Sequence, residues 1–253
     1  VVGSEQFAER EYFLKPEGEG EAASIRYPGP FAKFSETPLS IGRRPPIIGE
    51  HTQEILEEIS RLPEKDRGTE TKKITLPLEG VKVLDFMWAL AGPGATRTLA
   101  DMGATVIRVE SSSRLDVIRT IRPFIDSDES PEKSALFHNT NAGKNLLSLD
   151  LTKPEGKAVA LDLVRWCDVV TESFSPKAMK AFGLDYESLL EVNSDLIMLS
   201  TCLFGQTGPL STFAGYGNLA AAIAGFYTIT GWPDREPAGP FGAYTDYIAP
   251  RYN

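Results

Sequence analysis

Apolar and polar positions in residues 79–110, EGVKVLDFMWALAGPGATRTLADMGATVIRVE, follow two alternating rhythms. Val81, Val83 and Leu84 lead into Asp85 and Phe86 as a short β-branched, apolar run, the pattern of a buried strand. Ala91-Gly92-Pro93-Gly94 then opens a helix, because proline is tolerated at the first helical position and glycine lets the backbone turn and approach a ligand. The helix is expected to run to Met102 and stop at Gly103. Residues 105–109 form a second strand that ends at Glu110. Such a βαβ unit sets a helix N-terminus at the carboxyl end of a parallel sheet, where open α/β folds bind nucleotides and other anions.

The alternation continues downstream. Leu146, Leu147, Leu149 and Leu151 mark a strand over 144–151, and Thr152-Lys153-Pro154-Glu155 reads as a capping box for a helix reaching Trp166. Val169-Val170 is a strand, Ser175-Pro176 opens a helix closed by Gly183, and Asp185 caps 186–192. Residues 196–203 are again strand-like, Gly205-Gln206-Thr207-Gly208-Pro209 is a loop, and 218–229 is a helix of small residues. The pattern is doubly wound α/β. Between these elements, 111–133 reads as a polar, exposed connection. Its Arg114, Arg119 and Arg122 are more readily solvated or paired with Asp116, Asp126 and Asp128 than engaged with phosphate.

Upstream the rhythm is weaker. Residues 1–47 carry Lys15-Pro16-Glu17-Gly18-Glu19-Gly20 and Tyr27-Pro28-Gly29-Pro30, which predict extended loops. After Arg43-Arg44-Pro45-Pro46, the residues Ile55, Leu56, Ile59 and Leu62 mark one face of a helix ended by Pro63. The charged run 64–73 predicts a solvated linker and a boundary near residue 75.

Composition narrows the function classes. The 253 residues are 42% hydrophobic, which suits a globular core, and the net charge of −9 argues against a general nucleic-acid or anionic-membrane surface. Cys167 and Cys202 sit in apolar contexts without metal-ligand spacing, which predicts buried thiols, no bound metal and a reducing cytoplasm. The small-apolar run 219–226 is too short to span a bilayer. A start at Val1-Val2 and a stop after a strand-to-helix junction predict a fragment.

The candidate chemistry is sparse. The Gly92-Pro93-Gly94 spacing does not match G-x-G-x-x-G, and the turn lacks a P-loop lysine, which disfavours a dinucleotide-dependent oxidoreductase. A tight strand-to-helix turn explains the same glycines. Asp246 lies between Tyr244 and Tyr247 behind a glycine-proline run; a lone aspartate there is ordinarily a cap, and otherwise a functional acid.

Taken in order, several segments resemble the class III CoA-transferase family. They are LEGVKVLDF, the AGP turn, LADMGATVIRVE, KNLLSLDLTKPEGKA, CDVVTESFSPKAMKAFGLDYESL, the FGQTGP loop and the aspartate of GAYTDYIA. The resemblance implies an α/β fold with a Rossmann-like parallel sheet. SETPLSIGRRPPIIGEHTQEIL resembles the closing tail of the same family, which implies a fragment spanning the junction of two fused copies. Residues 1–62 would be the C-terminal tail of a first copy, 63–76 a linker, and 77–253 the N-terminal part of a second.

The resemblance also implies a reaction. Asp246 would be the catalytic nucleophile, carrying CoA as an aspartyl thioester between an acyl-CoA and a carboxylate acceptor. CoA contacts would come from Leu90, Ala91, Leu149, Ser173, Phe174 and Ser175, with Phe174 packing on the adenine. Two positions depart from the family pattern: Ser111 stands where a basic residue is frequent, and Ser173 where the E-N-F motif has asparagine. Arg114 and Lys180 are the substitute phosphate contacts, with exposed surface charge as their alternative role. Partners would be acyl-CoA and a small carboxylate, in an interlocked pseudo-dimer or homodimer. Fused-copy members include a dimethylsulfoniopropionate CoA-transferase that releases dimethyl sulfide, so that acid is the expected substrate. Trp88, Tyr244 and Tyr247 would face its sulfonium, or the quaternary ammonium of carnitine; core packing is the alternative for each ring. A CoA-binding half without catalysis is the competing class.

Overall fold

A computed structural model describes residues 1–15, 25–40, 45–61 and 75–253. The glutamate–glycine cluster from Pro16, the Arg43-Arg44 pair, Leu62, Pro63 and the charged run 64–73 lie outside the described residues. The chain divides into two compact units, one formed by Glu11–Thr75 and the other by Val1–Arg10 together with Leu76–Asn253. The larger unit begins with a short helix, α1 (Glu5–Glu9). In the smaller unit β1 (Phe13–Leu14) pairs antiparallel with β2 (Tyr27–Pro28). Its helix α2 (Thr52–Ser60) exposes Ile55, Leu56 and Ile59.

The larger unit is built on five parallel strands: β3 (Lys82–Phe86), β4 (Thr105–Glu110), β5 (Asn145–Ser148), β6 (Val169–Glu172) and β7 (Ile197–Ser200), with the short helices α4 (Ala135–Asn141) and α7 (Tyr186–Leu190) preceding β5 and β7. Their order across the sheet is β5-β4-β3-β6-β7, with Val83 level with Val106 on one side and Val169 on the other. This is a doubly wound sheet whose strand order reverses between β3 and β6, the point at which such folds open a crevice beyond the strand ends.

Side chains of β3 alternate between two cores. Leu84 and Phe86 join Val109, Val164, Val170, Leu184 and Leu189 on one face, where α5 (Pro154–Trp166) covers the sheet. Val83 packs with Ala104 and Val106, against Leu99 of α3 (Ala91–Asp101), on the other. α3 stops where the pattern predicts: Met102 is its C-cap and Gly103 takes φ +104°, left-handed backbone that suits glycine.

Asp85 shares the Val83 face and is fully buried, so its charge must be matched from within the protein. It accepts hydrogen bonds from the Met87 amide at 2.9 Å, Thr96 Oγ1 at 2.6 Å and Thr171 Oγ1 at 3.1 Å, and pairs with Lys144 Nζ at 3.1 Å. Lys144 also donates to the Pro93 carbonyl at 2.9 Å, Thr96 Oγ1 at 2.7 Å and Asn141 Oδ1 at 3.0 Å. A second buried pair, Arg108 with Asp116, lies beside it, and Arg108 reaches Asn141 Oδ1 at 2.8 Å.

Four local expectations are corrected. The connection 111–133 contains a 3₁₀ turn (Val117–Thr120) and does not leave Arg119 in solvent. Arg119 is 3% exposed and binds Glu110 at 2.8 Å and Glu132 at 3.1 Å beneath the Phe137 ring. The predicted capping box does not form, because Thr152 Oγ1 bonds Asp150 at 2.6 Å and Lys153 occupies the cap position of α5. The strands expected over 144–151 and 196–203 contract to β5 and β7. The helix expected over 218–229 divides into α8 (Gly217–Ile223) and α9 (Phe226–Ile229), with Gly225 at φ +91° between them.

Burial, opposed by the Asp85 charge, brings the Lys144 pKa down from 10.5 to about 8. Between those values the unfolded chain carries a proton that the folded protein has released, so stability rises with pH across that window. Denaturant midpoints measured from pH 8 to 10.5 should therefore move in favour of the wild type relative to Lys144→Met.

Candidate active site

At the switch point, consecutive backbone amides that follow β3 are each held by a different side chain. Met87 N–H donates to Asp85, Trp88 N–H to Ser173 Oγ at 2.8 Å, and Ala89 N–H to both Asp116 oxygens at 3.1 Å. Ala89 sits at φ +62°, an uncommon conformation for a residue with a Cβ, and the Asp116 carboxylate holds it there. Leu90 and Ala91 then begin α3, Leu90 as its N-cap. The loop from β3 is therefore set before any ligand arrives.

The β6 loop meets it from the opposite side of the crevice. Phe174 packs on Trp88 with ring centroids 5.9 Å apart, and the Arg114 guanidinium lies 5.6 Å from the Trp88 ring. Glu172, 2% exposed, accepts the Phe174 amide at 2.7 Å; burial raises its carboxyl pKa above the usual range. Ser175 is exposed at the position just before α6 (Pro176–Phe182), and its side chain makes no capping hydrogen bond. Leu149, just beyond β5, is tied to the Glu110 carbonyl at 3.0 Å and packs against the larger core. The residues expected to contact CoA thus lie after β3, β5 and β6, at their carboxyl ends. Arg114 joins the Trp88 loop, whereas Lys180 is exposed on α6.

Asp246 belongs to the first turn of α10 (Tyr244–Ile248). Its carboxylate receives the Gly217 amide at 3.0 and 3.2 Å, and Thr245 Oγ1 donates to the Gly217 carbonyl. A Cβ on Gly217 would lie 2.6 Å from Asp246 Cγ, so glycine is what lets the start of α8 approach this closely. Burial raises the Asp246 pKa above the ordinary 3.8, and the Gly217 amide opposes the shift. The Gly217 amide favours the charged form, the form that nucleophilic attack by a carboxylate requires.

Leu90, Gly94 and Arg97 of the α3 side line a cleft of about 200 Å³ together with Asn139, Thr140, Asp246 and Tyr247. The cleft brings the aspartate and one CoA-contact candidate together. Of the three aromatic candidates, Tyr247 lines it; Tyr244 packs on Phe226 at 5.7 Å, and Trp88 faces Phe174 and Arg114. Among the described residues, no group of three or more His, Cys, Asp or Glu is placed to hold a metal, and no helix is long and apolar enough to cross a membrane. Cys167 is buried with its thiol pushed up to about 11 by desolvation, and the half-buried Cys202 is also raised.

Several supporting residues carry no motif of their own. Asp85 looks like an interruption of an apolar strand, Asp116 and Lys144 like surface charge, and Gly217 lies 29 residues from the aspartate it contacts. A lone acid inside a strand pattern was the one available signal, since a buried charge requires partners.

Comparison with known proteins agrees with this architecture. The CoA-transferase family III model matches residues 78–252, and the chain belongs to that family. It is 43% identical over 179 residues to succinate–glutarate CoA-transferase of Agrobacterium fabrum, covering 70% of this chain and 45% of that protein. Human succinyl-CoA:glutarate CoA-transferase is 38% identical over 177 residues, covering 70% of this chain and 39% of that protein. A CAIB/BAIF family protein from Brucella suis superposes with a TM-score of 0.63 at 39% identity, covering 70% of this chain and 49% of that structure. The chain spans less than half the length of the curated relatives named here.

Two outcomes are expected at Asp246. Gly217→Ala pushes the carboxylate away from the amide that favours its charged form and should raise the Asp246 pKa further, read by carbon NMR of the labelled carboxyl. In the wild type the same titration should have its midpoint above pH 3.8, because burial disfavours the charged form.

Proposed function

We propose that this protein moves CoA from an acyl-CoA to a small carboxylate, with Asp246 as the covalent carrier. The observation that carries this function is the cleft shared by Asp246 and Leu90, which puts a partly buried carboxylate beside the loop at the sheet's switch point. An Asp246 oxygen attacks the thioester carbonyl, the C–S bond breaks, and an aspartyl–acyl anhydride forms with CoA thiolate released. The thiolate attacks the aspartyl carbonyl; the acyl group leaves as a carboxylate and Asp246 becomes a CoA thioester. An acceptor carboxylate then attacks that thioester, giving a second anhydride and freeing the thiolate again. Attack of the thiolate on the acceptor carbonyl forms the new acyl-CoA and restores Asp246. The Gly217 amide favours the carboxylate leaving group and the oxyanions on the aspartyl side.

CoA itself is held by Leu90, Ala91, Leu149, Ser173, Phe174 and Ser175. Arg114 adds a cation beside Trp88, the ring on which Phe174 packs. For the acceptor, the names of the relatives support a short dicarboxylate such as succinate or glutarate. Dimethylsulfoniopropionate, with loss of dimethyl sulfide, is the competing acceptor and rests on Tyr247 as the aromatic face within the cleft. Residues 1–62 are read as the tail of a first copy, 63–76 as a linker and 77–253 as the start of a second. The family match beginning at residue 78 supports that last boundary. A cytoplasmic, interlocked pseudo-dimer or homodimer completes the proposal.

Full-length protein incubated with succinyl-CoA and hydroxylamine should yield a hydroxamate on the peptide containing Asp246, seen by mass spectrometry. Asp246→Asn should lose the adduct and lower exchange by at least about 1,000-fold, as expected when a covalent nucleophile is removed. Exchange that survives Asp246→Asn would overturn the carrier role, and CoA binding without any exchange would leave a non-catalytic CoA-binding half. Parallel reactions with glutarate, carnitine and dimethylsulfoniopropionate, with dimethyl sulfide measured in the headspace, decide the acceptor.

A further inference from the structure

Gln6, in α1, is 2% exposed. A buried amide needs both donors and acceptors satisfied, and backbone groups of one distant loop satisfy this one. Gln6 Nε2 donates to the carbonyls of Phe204 at 2.8 Å and Thr207 at 2.7 Å, while Oε1 accepts the Leu210 amide at 2.7 Å. Arg10 adds a bond from Nη1 to Thr207 Oγ1 at 2.9 Å. Two glycines make room for these side chains. A Cβ on Gly208 would fall 2.6 Å from Gln6 Oε1 and one on Gly205 2.5 Å from the Arg10 guanidinium, and both residues have left-handed φ, +92° and +79°. The loop is moulded on a segment nearly 200 residues earlier in the chain.

The same loop reaches toward the CoA side of the crevice. Gln206 Nε2 comes within 3.5 Å of Glu172 Oε1, and Glu172 Oε2 holds the Phe174 amide at 2.7 Å. Phe174 in turn packs on Trp88. One continuous set of contacts therefore runs from Gln6 through the loop to the residues placed around CoA.

We propose that Gln6 is a positioning residue for the CoA site, acting through the 204–210 loop and Glu172; the role rests on the CoA-site reading above. The test uses the full-length protein with Gln6→Met, which preserves side-chain length and removes the amide. Hydrogen–deuterium exchange of peptides covering 203–211 should accelerate while that of the β3 and β4 peptides does not. The Kd for CoA should rise about tenfold, and the kinetic loss should fall on KM for acyl-CoA rather than on kcat. Gln206→Leu should raise Kd similarly, and the double variant should be no worse than either single one, because both break the same connection.

Unchanged loop exchange in Gln6→Met would overturn the contact itself. Faster exchange with an unchanged Kd would overturn the positioning role and leave a purely structural one. Wild-type protein that binds no CoA would overturn the CoA-site reading and the positioning role together. Loop exchange, read without CoA, separates that case from a failure of the contact.

Discussion

The elements that meet at the sheet's switch point gather around one buried carboxylate. Asp85 is buried at the end of the central strand, and its four partners come from the loop after β3, from α3, from β6 and from Lys144. An uncompensated charge in such a place costs several kcal/mol, so the partners must assemble around Asp85 or the sheet cannot close there. Hydrophobic burial brings the strands together, while this pair settles how the elements around them are arranged.

The neighbouring pair, Arg108 with Asp116, extends that control to the ligand side. Asp116 uses its oxygens on Arg108, Ala89 and Ile118, so a buried ion pair and a loop backbone share one acceptor. The positive-φ residue of the loop is thus held by electrostatics rather than by glycine. A loop set in advance loses less conformational entropy when a ligand docks, which is the general route by which rigid sites gain affinity.

The βαβ unit was legible because Val83, Leu84, Gly103 and Val106 have the roles their chemistry predicts: two buried strands and a left-handed helix stop. Arg119 was not. Val117, Ile118 and Ile121 beside it follow no strand or helix rhythm that would announce a buried charge, and only the folded arrangement of Glu110, Glu132 and Phe137 makes a place for it. Asp246 is singled out by family resemblance, since a single aspartate in the first turn of a short helix has no chemical signature of its own. Its setting beside Gly217 could not be read locally, because α9 and a long turn-rich segment lie between α8 and α10. Contacts across long sequence distances leave no periodicity, and here they build the candidate site.

The Gln6 contact also has a consequence for the order in which this protein acquires its structure during synthesis. Its partners lie 198 to 204 residues later in the chain. At translation rates of about 5–20 residues per second, α1 waits roughly 10–40 s for them to be made. During that interval the loop that receives Gln6 is still missing, while the β3–α3–β4 unit gains the chain it needs; a helix as short as α1 is too small to hold itself together alone. α1 is made before its partners and set in place only after them, so its docking marks completion of the loop rather than the start of folding.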